Sequence, residues 1–160
     1  MWNSIFFIAL FLANFQQADS TLEIKISHMQ TSNGASLLNI VIINKSNKSF
    51  VLPNFDLFND SVYCFNPYWE VNIKKNGITY YVPSILCHPK EFNKLRIKKQ
   101  TELKYVIPLH LEKISRNGYD FSKMNYDYGE YEIRLKVKPL NSKKEYLSNL
   151  IRINYQKIQM

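Results

Sequence analysis

The chain has 160 residues, 46% of them hydrophobic, and a formal net charge of +8 at pH 7. This length suits one ordinary domain with its own core, and no internal repeat, low-complexity tract or linker divides it. The charge does not indicate nucleic-acid binding, because its lysines stand singly or in pairs such as Lys98-Lys99 and no nucleic-acid-binding motif accompanies them. A mild attraction to acidic surfaces stays open.

The N-terminus predicts export. Residues 5–13 form an uncharged apolar run that is too short to span a bilayer but suits the central region of a secretory signal peptide. Ala18-Asp19-Ser20 offers small residues for cleavage, so we expect a signal peptide at 1–20 and a single domain at 21–160, beginning near Thr21 and located in the periplasm or secreted. An uncleaved anchor or a buried first strand are the alternatives.

The two cysteines, Cys64 and Cys87, are predicted to form a disulfide, because an even number of cysteines in an exported chain favours pairing. Closing this loop would stabilise the fold by about 3 kcal/mol if the loss of chain entropy dominates. Free thiols are the main alternative. Two thiols alone cannot supply a four-ligand zinc site.

The first half of the chain predicts short strands separated by turns. Leu22, Ile24 and Ile26 alternate with polar residues, and residues 37–43 form a nearly continuous apolar run. After a short strand at 50–52, alternation returns at 69–74, and Asn76-Gly77 then predicts a hairpin to a partner strand at 78–82, with Trp69 and Tyr80 as cross-strand neighbours.

The second half continues in the same way. Strands are predicted around 95–97, 103–107, 131–137 and 150–155, and residues 110–125 are interpreted as a connection with one helical turn. The chain is therefore predicted to be all-β, an antiparallel sandwich of about seven to nine strands.

One motif suggests the type of sandwich. Asp127, Gly129 and Tyr131 introduce the late strand in an Asp-x-Gly-x-Tyr pattern that resembles the tyrosine corner of immunoglobulin-like domains. Nearly the whole chain after residue 20 is similar to exported bacterial immunoglobulin-like domains, from an early Val/Ile strand followed by Asn44-x-Ser46 to the Gly129-x-Tyr131 strand. A weaker resemblance is to β-sandwiches of the intracellular proteinase inhibitor type. Both resemblances imply an architecture rather than a chemistry, and Ile133 stands where antibody domains carry a cysteine.

No catalytic or cofactor-binding motif is present, so we expect neither an enzyme nor a cofactor. Asp56, Asp60 and Asp127 are interpreted as loop residues that would bind calcium only if the fold gathered them. His28 continues the inward register of the first strand. No metal site is predicted.

Aromatic residues, 14% of the chain, are the enriched class. Core packing accounts for most of them, but Tyr68, Trp69, Tyr80 and Tyr81 are candidates for a partner surface. The preferred hypothesis is a non-catalytic exported interaction module that binds an unknown protein or glycan. The alternatives are a proteinase inhibitor that presents a loop such as 84–94 and a carbohydrate-binding module.

Overall fold

The structure is a computed structural model that describes residues 22–31, 35–53, 63–65, 68–82, 84–86, 94–116 and 124–156, with the backbone alone at 63–65 and 84–86. The apolar run at 5–13 and the expected cleavage site lie outside these residues. Export and the domain boundary near Thr21 therefore stay predictions.

The described residues form twelve β-strands and a single turn of 3₁₀ helix, Leu111–Lys113. The strands are β1 (Leu22–Gln30), β2 (Ser36–Asn44), β3 (Phe50–Pro53), β4 (Tyr63–Phe65), β5 (Trp69–Lys75), β6 (Ile78–Tyr80), β7 (Ser84–Leu86), β8 (Lys94–Ile97), β9 (Glu102–Pro108), β10 (Gly129–Val137), β11 (Tyr146–Leu147) and β12 (Ile151–Tyr155). The predicted all-β, antiparallel sandwich architecture is confirmed, with more strands than the seven to nine expected because several pairs are only two to four residues long.

The fold is built from two main β-sheets. The first has the order β1-β2-β9, and the second has the order β11-β10-β5-β6 with β12 also paired to β10. All of these pairs are antiparallel, as are β3 and β8, whereas the short pair β4 and β7 is parallel. Among the described residues, no helix is long and apolar enough to cross a membrane.

The core lies between the sheets because their strands alternate in sequence. In β2 every second residue from Leu38 to Asn44 is buried, and in β10 the same holds from Tyr131 to Val137. Successive side chains of a strand point to opposite faces, so these positions share one inner face. Burying large aliphatic side chains there stabilises the fold by roughly 1.5–3 kcal/mol for each.

The predicted hairpin is present and its register is informative. Asn76 and Gly77 adopt positive φ angles of 50° and 78° and connect β5 to β6. Tyr80 pairs with Ile73, and Trp69 pairs with Val137 on the other side of β5. The expected cross-strand contact between Trp69 and Tyr80 is therefore wrong, because Trp69 lies four residues further from the turn than the partner of Tyr80.

The strand directions define two ends of the sandwich. One end holds the start of β1, since Leu22 pairs with Asn44, and the final residues of β10. The opposite end holds Gly129, which pairs with Tyr155, and the residues that follow β9. The 9-residue strand β10 runs between the two ends over roughly 27 Å.

Candidate binding surface

A short segment without regular secondary structure, residues 124–128, crosses the second of these ends just before β10. Its side chains alternate between solvent and protein. Met124, Tyr126 and Tyr128 are 51%, 71% and 37% exposed, whereas Asn125 and Asp127 between them are partly buried. We call the three outward side chains the aromatic strip. Large apolar side chains this exposed on neighbouring positions are characteristic of contact surfaces.

Asn125 fixes one half of the segment. Its backbone N–H donates to the Glu112 carbonyl oxygen at 2.6 Å, and its side-chain Nδ2 donates to the Leu111 carbonyl oxygen at 3.0 Å. Nδ2 also lies 3.0 Å from the Tyr131 hydroxyl, while Oδ1 accepts the Asp127 N–H at 3.1 Å. A single amide therefore ties the segment to the 3₁₀ turn on one side and to β10 on the other.

Asp127 fixes the other half. Lys75 Nζ lies 2.6 Å from its Oδ1, and both Arg116 and the Tyr80 hydroxyl donate to its Oδ2. Its carbonyl oxygen accepts from the Tyr131 hydroxyl at 2.6 Å and from Lys75 at 3.2 Å. The side chains of Asp127 and Lys75 are only 25% and 13% exposed, so solvent screens this pair less than an open surface pair.

Aromatic rings pack beneath the strip. The Tyr80 and Tyr131 rings meet edge to face at 5.1 Å, and Tyr155 lies 6.3 Å from Tyr131 and 5.1 Å from Tyr128. Burial, which disfavours the phenolate, raises the pKa of Tyr131 and of Tyr155 above the ordinary value. The segment that carries the strip is therefore packed against the rings of the domain and hydrogen-bonded to it.

The residues that resemble a tyrosine corner lie together here. Tyr131 is fully buried and its hydroxyl reaches back to Asp127, four residues upstream. Gly129 between them has φ of 130°, and a Cβ at that position would lie 3.2 Å from both Cε and Nζ of Lys75. A glycine is needed because the backbone is left-handed and passes close to a lysine. That this arrangement marks an immunoglobulin-like domain stays a prediction.

The partner surface expected at Tyr68, Trp69, Tyr80 and Tyr81 needs correction. Trp69 and Tyr80 are buried in the core, because both lie on the inner face of the β5 and β6 sheet, and the Tyr80 hydroxyl is bound to Asp127. Tyr68 is half-buried and Tyr81 is exposed, so these four residues do not form one surface.

Sequence reasoning missed the aromatic strip. It interpreted residues 110–125 as a connection with one helical turn. The signal was the alternation of Met124, Tyr126 and Tyr128 with Asn125 and Asp127, which continues into β10. This alternation is the reverse of the one in a core-facing strand, because its inward positions are polar and its outward positions are apolar.

The cysteine prediction is not resolved by the described residues. The backbone of Cys64 pairs with Ile85 in the β4 and β7 pair, but Cys87 lies outside the described residues. The disulfide stays a prediction.

The metal-site question concerns the loop carboxylates. Asp56 and Asp60 also lie outside the described residues. Within the described ranges, no group of three His, Cys, Asp or Glu residues is placed to hold a metal ion.

A cleft of about 640 Å³ with a mixed polar and apolar lining lies between the ends of the two main sheets, next to the 3₁₀ turn. Its lining includes His28, His110, Glu112 and Tyr155. His110 Nδ1 lies 3.0 Å from Glu112 Oε1, and His28 Nε2 lies 3.2 Å from the Ser36 hydroxyl. His28 is exposed rather than directed into the core, because β1 extends past the buried part of the sandwich after Ile26. His28 keeps the expected inward register, since it pairs with the buried Leu38, but it lies beyond the core and is exposed.

Comparison of the chain with known protein families and with curated protein sequences finds no match.

Proposed function

We propose that the protein is an exported, non-catalytic binding module and that the aromatic strip contacts a protein partner. The observation that carries this proposal is that Tyr126 is 71% exposed although it stands between two restrained residues. Asn125 is held by hydrogen bonds, and Asp127 is held by hydrogen bonds and an ion pair. Tyrosine and methionine are enriched at protein interfaces, where a large apolar body is buried and a polar tip remains hydrated.

Preorganisation supports a binding role for the strip. A flexible loop loses conformational entropy when it binds, whereas the backbone of residues 125 and 127 is already restrained by hydrogen bonds. The same restraint supports a non-catalytic role for Asp127, whose carboxylate is occupied by Lys75, Arg116 and Tyr80. A carboxylate in such a network acts first as a structural anchor.

The architecture proposed for the module is the immunoglobulin-like sandwich. Its support is the burial of Tyr131 and the hydrogen bond from its hydroxyl to the backbone of Asp127. Many unrelated functions share this architecture, so the proposal of binding rests on the strip and not on the fold.

Site-specific photo-crosslinking tests the proposal in the cells that produce the protein. A benzoylphenylalanine at position 126 should yield a discrete protein adduct. The same label at Val106, which is 53% exposed on the other main sheet, should not. Adding Met124→Ser should reduce the adduct at position 126, because it removes a neighbouring contact. Equal adducts from both positions, or none from position 126, would contradict the proposal.

A second candidate is glycan binding in the cleft next to the 3₁₀ turn. The cleft combines imidazole, carboxylate and amide groups with the ring of Tyr155, which is a set of groups suited to hydroxyl-rich ligands. Titration of ¹⁵N-labelled protein with soluble oligosaccharides distinguishes the two candidates. Saturable shifts confined to residues around His110 and Asn154 favour the glycan, and their absence favours a protein partner.

A further inference from the structure

Folding brings nine of the 21 basic residues of this chain together at the end of the sandwich opposite the strip. Four stretches meet there: residues 22–25, 44–49, 97–104 and 138–146. We call this region the lysine end. In sequence the lysines are dispersed as single residues and pairs, so only the topology shows that they belong to one surface.

Asn44 joins two of these stretches. Its side chain is fully buried, and its Nδ2 donates to the carbonyl oxygens of Lys48 at 2.7 Å and Lys98 at 2.9 Å. Its backbone N–H donates to the Thr101 carbonyl oxygen at 2.9 Å. Lys48 and Lys98 are 50 residues apart in sequence, yet their carbonyl oxygens both accept hydrogen bonds from the side-chain amide of Asn44.

Asn141 brings in a further stretch. Its Nδ2 donates to the Ser49 carbonyl oxygen and its Oδ1 accepts the Val51 N–H, both at 2.9 Å. The Leu140 N–H donates to the Val51 carbonyl oxygen at 2.7 Å. These bonds place Lys143 and Lys144 beside the turn that carries Lys48.

The charge of this end is strongly positive. Its four stretches contain nine lysines and three glutamates, a net charge of +6 out of the +8 of the whole chain. Glu23 is paired with Lys25 at 3.2 Å and Lys45 at 2.5 Å, and Glu102 is paired with Lys104 at 3.0 Å. In the described part of the chain, exposed lysines at 48, 98, 99 and 143 make no ion pair. They are free to attract an anionic surface.

The position of β1 adds a second argument. Leu22 opens β1 opposite Asn44, so the chain N-terminal to residue 22 joins the domain at the lysine end. That part of the sequence includes the uncharged apolar run at 5–13. Membrane binding strengthens with buried apolar area and with electrostatic attraction to anionic lipid, so this run, if retained, would add to the binding of the lysine end. Removal of residues 1–20 would instead leave the α-amino charge of Thr21 near this end.

We propose that the lysine end docks on a bilayer that contains anionic phospholipid. Lysines near an anionic membrane surface contribute additively to binding and act over about a Debye length. This orientation directs the aromatic strip away from the membrane, about the length of β10 from the headgroups. The docking proposal does not depend on the identity of the strip's partner.

Co-sedimentation of the full chain with lipid vesicles tests the proposal. Vesicles of phosphatidylcholine alone are compared with vesicles in which about a third of the lipid is phosphatidylglycerol, at low and physiological ionic strength. The wild-type protein should bind the anionic vesicles more tightly, and the difference should shrink as salt is added.

Matched lysine variants locate the contact. The test variant combines Lys48→Gln, Lys98→Gln and Lys143→Gln, one change in each loop of the lysine end. The control variant combines Lys74→Gln, Lys94→Gln and Lys113→Gln, which removes the same charge elsewhere. The test variant should bind anionic vesicles about a hundredfold more weakly and the control less than about threefold more weakly.

Three results would overturn the docking proposal. One is an equal loss in both triple variants, which would mean that net charge alone drives the attraction. Another is equal wild-type binding to neutral and anionic vesicles. The third is tighter binding to fluorescent dextran sulfate than to anionic vesicles at equal anion concentration, because that would assign the surface to acidic polysaccharide. Unchanged thermal melting of both triple variants establishes that the comparison is made on folded protein.

Discussion

The side chain of Asn149 hydrogen-bonds both backbone polar groups of Ile26. The Ile26 N–H donates to its Oδ1 at 2.7 Å, and its Nδ2 donates to the Ile26 carbonyl oxygen at 3.0 Å. Asn149 stands between β11 and β12 of one main sheet, and Ile26 is in the edge strand β1 of the other. The amide therefore takes the place of a neighbouring strand and joins the two sheets of the sandwich.

We expect Asn149→Ala to lower the free energy of unfolding by about 1–3 kcal/mol, because it leaves both polar groups of Ile26 without their amide partner. Asn154→Ala is the control, since Asn154 is exposed on β12 and should contribute less than about 0.5 kcal/mol. Urea unfolding followed by circular dichroism measures both. Equal midpoints for the two variants would show that the junction between the sheets does not depend on this amide.

The hydroxyl of Tyr131 should matter more than that of Tyr128. Tyr131→Phe removes the donor to the Asp127 carbonyl oxygen and the group that Asn125 contacts, so we expect a loss of roughly 1–3 kcal/mol. Tyr128→Phe keeps the ring contact with Tyr155 and should cost less than about 0.5 kcal/mol. Urea denaturation of both variants decides this. A loss as large for Tyr128→Phe would mean that the buried hydroxyl has no special role.

The local alternation of apolar and polar residues was sufficient to predict the strands. Leu22, Ile24 and Ile26 alternate with polar residues, and the turn at Asn76-Gly77 needs positive φ angles that these two residue types adopt readily. Such signals lie within a few residues of one another. The all-β antiparallel architecture could therefore be predicted from the sequence.

The polar network could not be predicted in the same way. Lys75 and Asp127 are 52 residues apart, and Lys75 belongs to a Lys74-Lys75 pair that indicates a solvated face. Only the pairing of β5 with β10 brings Lys75 under the segment that leads to Gly129. The lysine end has the same origin, since long-range strand pairing is what gathers charges that are separated in sequence.

Stability at alkaline pH should reveal the burial of Tyr131. Its pKa is raised in the folded state chiefly by burial, whereas the unfolded phenol ionises near the ordinary value of about 10. The unfolded state therefore loses its proton first, and the free energy of unfolding falls as the pH rises above about 10. Tyr131→Phe lacks this titration, so its stability should fall less than that of the wild type between pH 8 and pH 10.5.

Urea unfolding at the two pH values measures that difference. Tyr128→Phe loses one tyrosine hydroxyl but retains Tyr131, so it serves as the control. Because all other ionisable side chains are the same in the two variants, the comparison between them isolates the buried phenol of Tyr131. A wild-type pH dependence in Tyr131→Phe would refute the expected contribution of this group.

The two glycines with positive φ should respond differently to alanine. At Gly77, where φ is 78°, a Cβ would meet no atom within 4 Å, so Gly77→Ala costs only the strain of a left-handed backbone, about 1 kcal/mol. At Gly129, where φ is 130°, the Cβ would also press on the end of Lys75 and disturb its ion pair with Asp127. We expect Gly129→Ala to lower the free energy of unfolding by at least about 2 kcal/mol.

Thermal unfolding of the two variants measures the difference. The crowding by Lys75 is tested by introducing Gly129→Ala into the Lys75→Ala variant. There the substitution should destabilise the protein less than it does in the wild type, because the lysine side chain is absent. If Gly129→Ala is no more destabilised than Gly77→Ala, the close approach of Lys75 to residue 129 does not constrain the corner.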